Sequence, residues 1–157
     1  MTDRVAHSIR PMHFEDIPRV LQIATSLPHA PHWPVAAYEA ALNPTSEPRR
    51  IALVAETQES ETVVGFVVAS LVAGEAELES IAVATEAQRS GFGGHLLNHL
   101  LARLKEREGS TINLEVRASN SAALALYARH CFKETGRRVG YYRDPVEDAV
   151  LMEHDLR

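Results

Sequence analysis

Residues 88 to 94 read Gln-Arg-Ser-Gly-Phe-Gly-Gly, and a leucine pattern follows at once. A glycine-rich turn that opens a helix presents bare backbone N–H groups and the positive end of the helix dipole. Arg89 adds a cation to it. The spacing is not the dinucleotide pattern G-x-G-x-x-G, and the lysine and Ser/Thr of a triphosphate loop are missing. Two readings stand side by side. Gln88, Arg89, Ser90, Gly91, Phe92, Gly93 and Gly94 form an anion site, or the glycines only relieve strain in a tight strand-to-helix connection.

Three further residues have chemistry in them. Glu115 falls mid-strand on a polar face, where it is either a solvated carboxylate or a general base held on a rigid element. Tyr127, on the helix that follows, is either a core ring with its hydroxyl at the edge or a proton donor to a leaving group. Asn120 is most simply a helix N-cap, with an amide also able to reach a ligand at that helix end. The histidines do not point to a metal. His95 and His99 are four apart and His29 and His32 flank a proline, but neither pair has the glutamate of H-E-x-x-H or a nearby cysteine. Cys131 ends an apolar helix and is expected to be a buried structural thiol, because no paired base marks it as a nucleophile.

These residues need elements to hold them. "SIRPM" (8–12) reads as a first strand. Residues 13–27 carry Ile17, Val20, Leu21, Ala24 and Leu27 at helical spacing, with Glu15 and Asp16 favouring the N-terminal end. Three prolines break the pattern over 28–34, and "VAAYEAALN" (35–43) suggests a second short helix. The β-branched runs 50–56 and 62–73 suggest a hairpin. "AELESIAVA" (76–84) reads as a strand whose period is blurred, as in a strand covered on both sides. Leu96, Leu97, Leu100, Leu101 and Leu104 make one helical stripe, with Gly109 as its stop. "TINLEVR" (111–117) alternates cleanly, an alanine-rich helix follows from the cap-type residues at 119–121, and two strands near 132–138 and 147–156 close the chain. The order is β-α-α-β-β-β-α-β-α-β-β.

The bulk properties narrow the class. A chain of 157 residues fits one domain, 1–157, with a real core. A net charge of −5 argues against nucleic acid as the main partner. A single cysteine permits no internal disulfide, and no signal-like or membrane-length apolar run occurs, so a cytoplasmic protein without membrane association is expected.

Read in order, residues 78–132 resemble the GNAT superfamily of acetyl-CoA-dependent N-acetyltransferases. Gln88-Arg89-Ser90-Gly91-Phe92-Gly93 matches its phosphate loop Q/R-x-x-G-x-G/A, and Asn120, Ala123, Leu126 and Tyr127 match N-x-x-A-x-x-L-Y. "LEVRASNSAALALY" and "RRVGYYRDPVEDAVLM" resemble the ribosomal-protein-alanine N-acetyltransferases, or RimI-like family, strongly over 76–152 and weakly before 50. The resemblance implies an α/β (α+β) fold with a central mixed, mostly antiparallel twisted sheet of about six to seven strands flanked by about four helices. It implies acetyl-CoA as co-substrate and no metal. Glu115 takes the general-base position and Tyr127 the general-acid position. The backbone of Ile81, Ala82 and Val83 holds the acetyl and pantetheine part, Arg89 to Gly94 wrap the pyrophosphate, and Asn120 touches the pantetheine arm. Tyr141 lines the substrate groove. The implied acceptor is the N-terminal amine of a protein such as a ribosomal protein. The alternatives are a small-molecule amine acetyltransferase or a non-catalytic acetyl-CoA-binding module. Three departures stand out: Gly94 where many relatives have Arg or Lys, His130-Cys131-Phe132 for Leu-Gly-Phe, and an unmatched 28–38. Oligomeric state is not implied.

Overall fold

The computed structural model describes residues 7–157, so the first six positions of the N-terminal stretch lie outside it. The strands are β1 (His7–Pro11), β2 (Arg49–Thr57), β3 (Val63–Val72), β4 (Glu75–Val83), β5 (Thr111–Arg117), β6 (Lys133–Tyr142) and β7 (Glu147–Asp155). The helices are α1 (Ile17–Ser26), α2 (Val35–Leu42), α3 (Phe92–Glu106) and α4 (Ser121–Arg129). The element order is the one expected. The strands form one sheet in the order β1-β2-β3-β4-β5-β7-β6. Every neighbouring pair is antiparallel except β4 and β5. A parallel pair needs a long crossover, and α3 supplies it.

Each face of the sheet buries its own core. On one face α3 packs its leucines Leu96, Leu97, Leu100 and Leu104, all fully buried, against Leu53, Val67, Ile112 and Leu114. α4 adds Tyr127 there. On the other face α1 and α2 bury Val20, Ile23 and Tyr38 against Val54, Phe66 and Val68. That second helical layer reaches only the β1–β4 half, packing chiefly on β2, β3 and β4. Among the described residues, no helix packs its core on the same face of β5 and β7.

The blurred period of β4 has a definite cause. Val68 pairs with Ser80, but Ala69 pairs with Leu78, so Glu79 is an extra residue in the strand. Such a bulge reverses the face on which later side chains fall. Ala76 and Leu78 lie in the core beneath α3, whereas Ala82 lies in the core beneath α1 and α2. Ile81 and Val83 then turn towards α3. Simple alternation cannot describe a strand that changes sides.

Three local expectations are refined or corrected. Gly109 does lie in the stop of α3, its N–H donating to the Leu104 carbonyl at 2.8 Å, but the left-handed residue there is Glu108, with φ 62°. Gly109 is required by space instead, since a Cβ there would lie 2.9 Å from the Leu104 carbonyl oxygen. Cys131 is exposed rather than buried. It follows α4 with φ 65°, the left-handed conformation usual for glycine. β6 runs on to Tyr142, four residues past the expected 138, because it continues to pair irregularly with β7 as far as Glu147.

Candidate active site

The site begins where the sheet comes apart. β4 and β5 pair only at Glu75–Thr111, Ala76–Ile112 and Glu77–Asn113. Beyond those pairs β4 continues to Val83 and β5 to Arg117 without bonding to each other. The result is a fork whose β4 lip carries Ile81, Ala82 and Val83 and whose β5 lip carries Glu115. Backbone groups along an unpaired strand edge are ready to bond an extended ligand, as in strand addition.

The glycine loop stands at the mouth of this fork. The Gln88 amide donates to the Val83 carbonyl at 3.1 Å and ties the loop to the end of β4. Arg89 (φ 67°) and Gly91 (φ 83°) both take left-handed backbone. Gly91 is the N-cap of α3, and the first bond of that helix runs from His95 N–H to Gly91 O at 3.1 Å. Gly93 and Gly94 precede that bond, so the helical ladder does not use their N–H groups. Arg89 and Ser90 are exposed, and Phe92 is buried as an anchor. A Cβ on Gly93 would meet Leu126 of α4 at 3.4 Å, so this glycine also lets α3 and α4 approach. Left-handed turns, bare first-turn amides and a guanidinium together fit a diphosphate.

Asn120 caps α4, accepting from Ala123 N–H at 3.2 Å through its side-chain oxygen. Its amide nitrogen is not needed for the cap. Tyr127 is 6 % exposed and packs 5.6 Å from the Phe132 ring. Burial, with a smaller contribution from Tyr142, pushes its hydroxyl above the ordinary tyrosine range. It therefore stays protonated at neutral pH.

Glu115 lies on the opposite face of the sheet from Tyr127. Its strand neighbours Leu114 and Val116 enter the core that holds Tyr127, so Glu115 faces the side without a helix. Arg138 Nε reaches Glu115 Oε1 at 3.3 Å, and the same guanidinium stands 5.4 Å from the centre of the Tyr141 ring. The Tyr141 hydroxyl is held above its usual range by hydrogen bonding to Glu115 and by the charge of that carboxylate. Tyr141, the residue expected in the substrate groove, thus stands over the carboxylate expected to act as base.

Sequence reasoning missed Glu77, Arg138 and Tyr142 beside Glu115, and Glu79 beside Glu77. Glu77 lies across the closed end of the fork, and burial followed by the charges of Glu79 and Glu115 pushes its carboxyl upward. Glu79, the bulge residue, pairs with Arg50 at 2.8 Å. Arg138 and Tyr142 come from β6, and the Arg117 guanidinium lies 4.3 Å over the Tyr142 ring. The doubled tyrosine at 141–142 was a usable signal. The acidic grouping had none, because it depends on the bulge. Among the described residues no group of three or more His, Cys, Asp or Glu is placed to hold a metal, and no helix is long and apolar enough to cross a membrane.

A split mixed sheet, a glycine-rich cradle and a carboxylate across the fork define an acyltransferase scaffold. The family model of the acetyltransferase (GNAT) family matches residues 15–132, and the chain belongs to that family. It is similar to the ribosomal protein bS18-alanine N-acetyltransferase of Escherichia coli (strain K12), 46% identical over 89 residues. That match covers 55% of this chain and 60% of the relative, less than two thirds of its length. A Bacillus subtilis (strain 168) protein with the same activity proposed for it is 30% identical over 145 residues, covering 92% of this chain and 93% of that one. The crystal structure of the E. coli ribosomal-protein-S18-alanine N-acetyltransferase superposes with TM-score 0.81 at 32% identity, over 96% of this chain and 94% of the other.

Proposed function

We propose that this chain, as one domain over 1–157, is a cytoplasmic acetyl-CoA-dependent N-acetyltransferase whose acceptor is the N-terminal α-amino group of a protein such as a ribosomal protein. The observation that carries the reading is the fork between β4 and β5, with the glycine cradle at its mouth and Glu115 on one lip. The likeness to bS18-alanine N-acetyltransferases supports the acceptor.

Acetyl-CoA, when bound, supplies an activated acetyl group as a thioester. Arg89, Ser90, Gly91, Phe92, Gly93 and Gly94 hold its pyrophosphate through backbone N–H groups. The edge of β4 at Ile81, Ala82 and Val83 bonds the pantetheine amides, and the Asn120 amide touches the same arm. The acceptor amine enters on the open face and passes beside Tyr141. Glu115 takes its proton, directly or through a water, as nitrogen bonds to the acetyl carbon. A backbone N–H near Val83 stabilises the charge on the acetyl oxygen. The carbon–sulfur bond then breaks on the other face, where Tyr127 donates to the sulfur. Burial holds the Tyr127 hydroxyl above the ordinary tyrosine range, so it keeps its proton and stabilises the departing thiolate by donating a hydrogen bond. The thiolate then takes a proton from water, and Glu115 returns to water the one it took from the amine.

The acceptor class agrees with this modest machinery. An α-amino group with pKa near 7.8 is about 14% neutral at pH 7, and a lysine near 10.4 about 0.04%. The difference is roughly 3.5 kcal/mol. One carboxylate suffices for the former. The test is an acetyl-CoA turnover screen against free N-terminal Ala and Ser peptides, a lysine peptide with blocked N-terminus, and small amines. Preference for the free N-terminal peptides is expected. Turnover of small amines alone would overturn the acceptor, and tight binding without turnover would overturn catalysis.

A further inference from the structure

The departure at Gly94 and the departure at His130 are in contact. His130 caps the C-terminal end of α4. Its Nδ1 lies 2.9 Å from the Leu126 carbonyl oxygen, which only accepts, so Nδ1 carries a proton and donates. The other edge of the ring lies against the first turn of α3. A Cβ built on Gly94 would stand 3.4 Å from His130 Cε1 and 3.6 Å from Nε2. The imidazole therefore occupies the space into which a longer side chain at 94 would have to grow.

We infer that His130 is a second cationic donor of the diphosphate cradle beside Arg89, reaching from α4 the place that a side chain at 94 would occupy. With Nδ1 committed to Leu126, Nε2 is the only ring nitrogen left for a ligand. A protonated imidazole there donates to a phosphate oxygen, whereas a neutral one presents a lone pair to it. Donation from both ring nitrogens needs a proton on each, so coenzyme A binding takes up a proton at this ring wherever the free ring carries only one. Other titratable groups at this corner are His95 of α3, whose ring lies beside Gly91, Arg89 in the loop, Tyr127 one turn back on α4, and Arg129 and Cys131 beside His130 in the chain. His154 of β7 comes next, its Nδ1 lying 3.4 Å from the Cys131 carbonyl oxygen. Residues 88–95 and 126–132 hold no carboxylate, and Glu153 and Asp155 of β7 line the surface beside Cys131 together with Lys133 and His154.

This inference rests on the pyrophosphate reading of the loop, and the variants separate the two. His130→Asn keeps a donor where Nδ1 stands, so the bond to Leu126 survives while Nε2 is lost. Calorimetric titration with coenzyme A should show affinity reduced about tenfold, the scale of one charge-assisted hydrogen bond. Affinity for pantetheine, which lacks the diphosphate, should not change. Titration in two buffers of different ionisation enthalpy should show proton uptake with coenzyme A in the unmodified chain, and less uptake in the variant. The double change His130→Asn with Gly94→Arg should restore coenzyme A affinity, because the vacated space admits the longer side chain. Equal losses for both ligands would make His130 a structural cap and overturn the inference, as would unchanged affinity and proton uptake. Gly91→Val is the control: if it weakens coenzyme A binding while His130→Asn does not, the cradle stands and only the histidine falls. If neither does, the cradle reading falls as well.

Discussion

At the scale of single residues, chemistry and folding make different demands on similar groups. Glu115 keeps about a quarter of its side chain exposed and meets Arg138 and Tyr141. Glu115→Gln removes the proton acceptor and little volume. Its kcat should fall by roughly 10² to 10⁴, with acetyl-CoA affinity nearly unchanged, in steady-state and binding measurements. Full turnover would remove Glu115 from the mechanism. Tyr127 is both a core ring and the proposed donor. Tyr127→Phe should preserve thermal stability, since the ring carries the packing, and should lower kcat. Asp16 is a contrasting carboxylate with a purely structural task. It accepts from Arg10 at 2.8 and 2.9 Å and from His13 N–H at 2.7 Å. The Arg10 guanidinium holds its pKa below the ordinary value. A lowered folded-state pKa contributes stability that is present above the unfolded value, near 3.9, and is lost as pH falls through the folded value. Urea unfolding of Asp16→Asn should therefore show a clear deficit at pH 7 that shrinks below about pH 4. A deficit independent of pH would sink that assignment.

At the scale of elements, local pattern succeeded where one face of an element meets one core. The α3 stripe and the alternation of β5 are of that kind: Ile112, Leu114 and Val116 are buried, and Glu115 between them is not. Pattern failed where an element changes partners. Glu79 gives β4 two cores, one beneath α3 and one beneath α1 and α2, and no period of two survives that exchange. It failed again at the ends of helices. Cys131 takes the left-handed position after α4, and Glu108 takes it after α3. Neither residue type advertises this. Gly109 follows so closely on the Leu104 carbonyl that Gly109→Ala should destabilise the fold by about 1 to 3 kcal/mol, the usual cost of overpacking. Chemical denaturation measures this directly, and a neutral result would mean that the turn relaxes freely.

At the scale of the whole molecule, the sheet is two halves hinged on three residue pairs. β1 to β4 carry the second helical layer, while among the described residues none packs on that face of β5, β7 and β6. An extended ligand in the fork would complete the bonding that β4 and β5 leave undone. Acetyl-CoA should therefore slow amide hydrogen exchange on both lips, at residues 81–83 and 114–117, as well as in the loop at 89–94. Protection confined to the loop would mean that the fork is not the binding path. Binding at a hundred times Kd should add about 2.7 kcal/mol to unfolding stability by mass action.

The amino-acid sequence alone determined the element order, the leucine face of α3, the glycine loop and the resemblance that singled out Glu115, Tyr127 and Asn120. Those features are written in near neighbours along the chain, within a helical turn or a strand's alternation. Only the tertiary structure decided which faces those residues occupy, that Tyr141 and Arg138 come to rest against Glu115, and that His130 fills the space left by Gly94. The physical reason is the same in each case. A one-residue bulge, the parting of two strands and the contact of α4 with α3 depend on packing between segments far apart in the chain, and no local period records such distances.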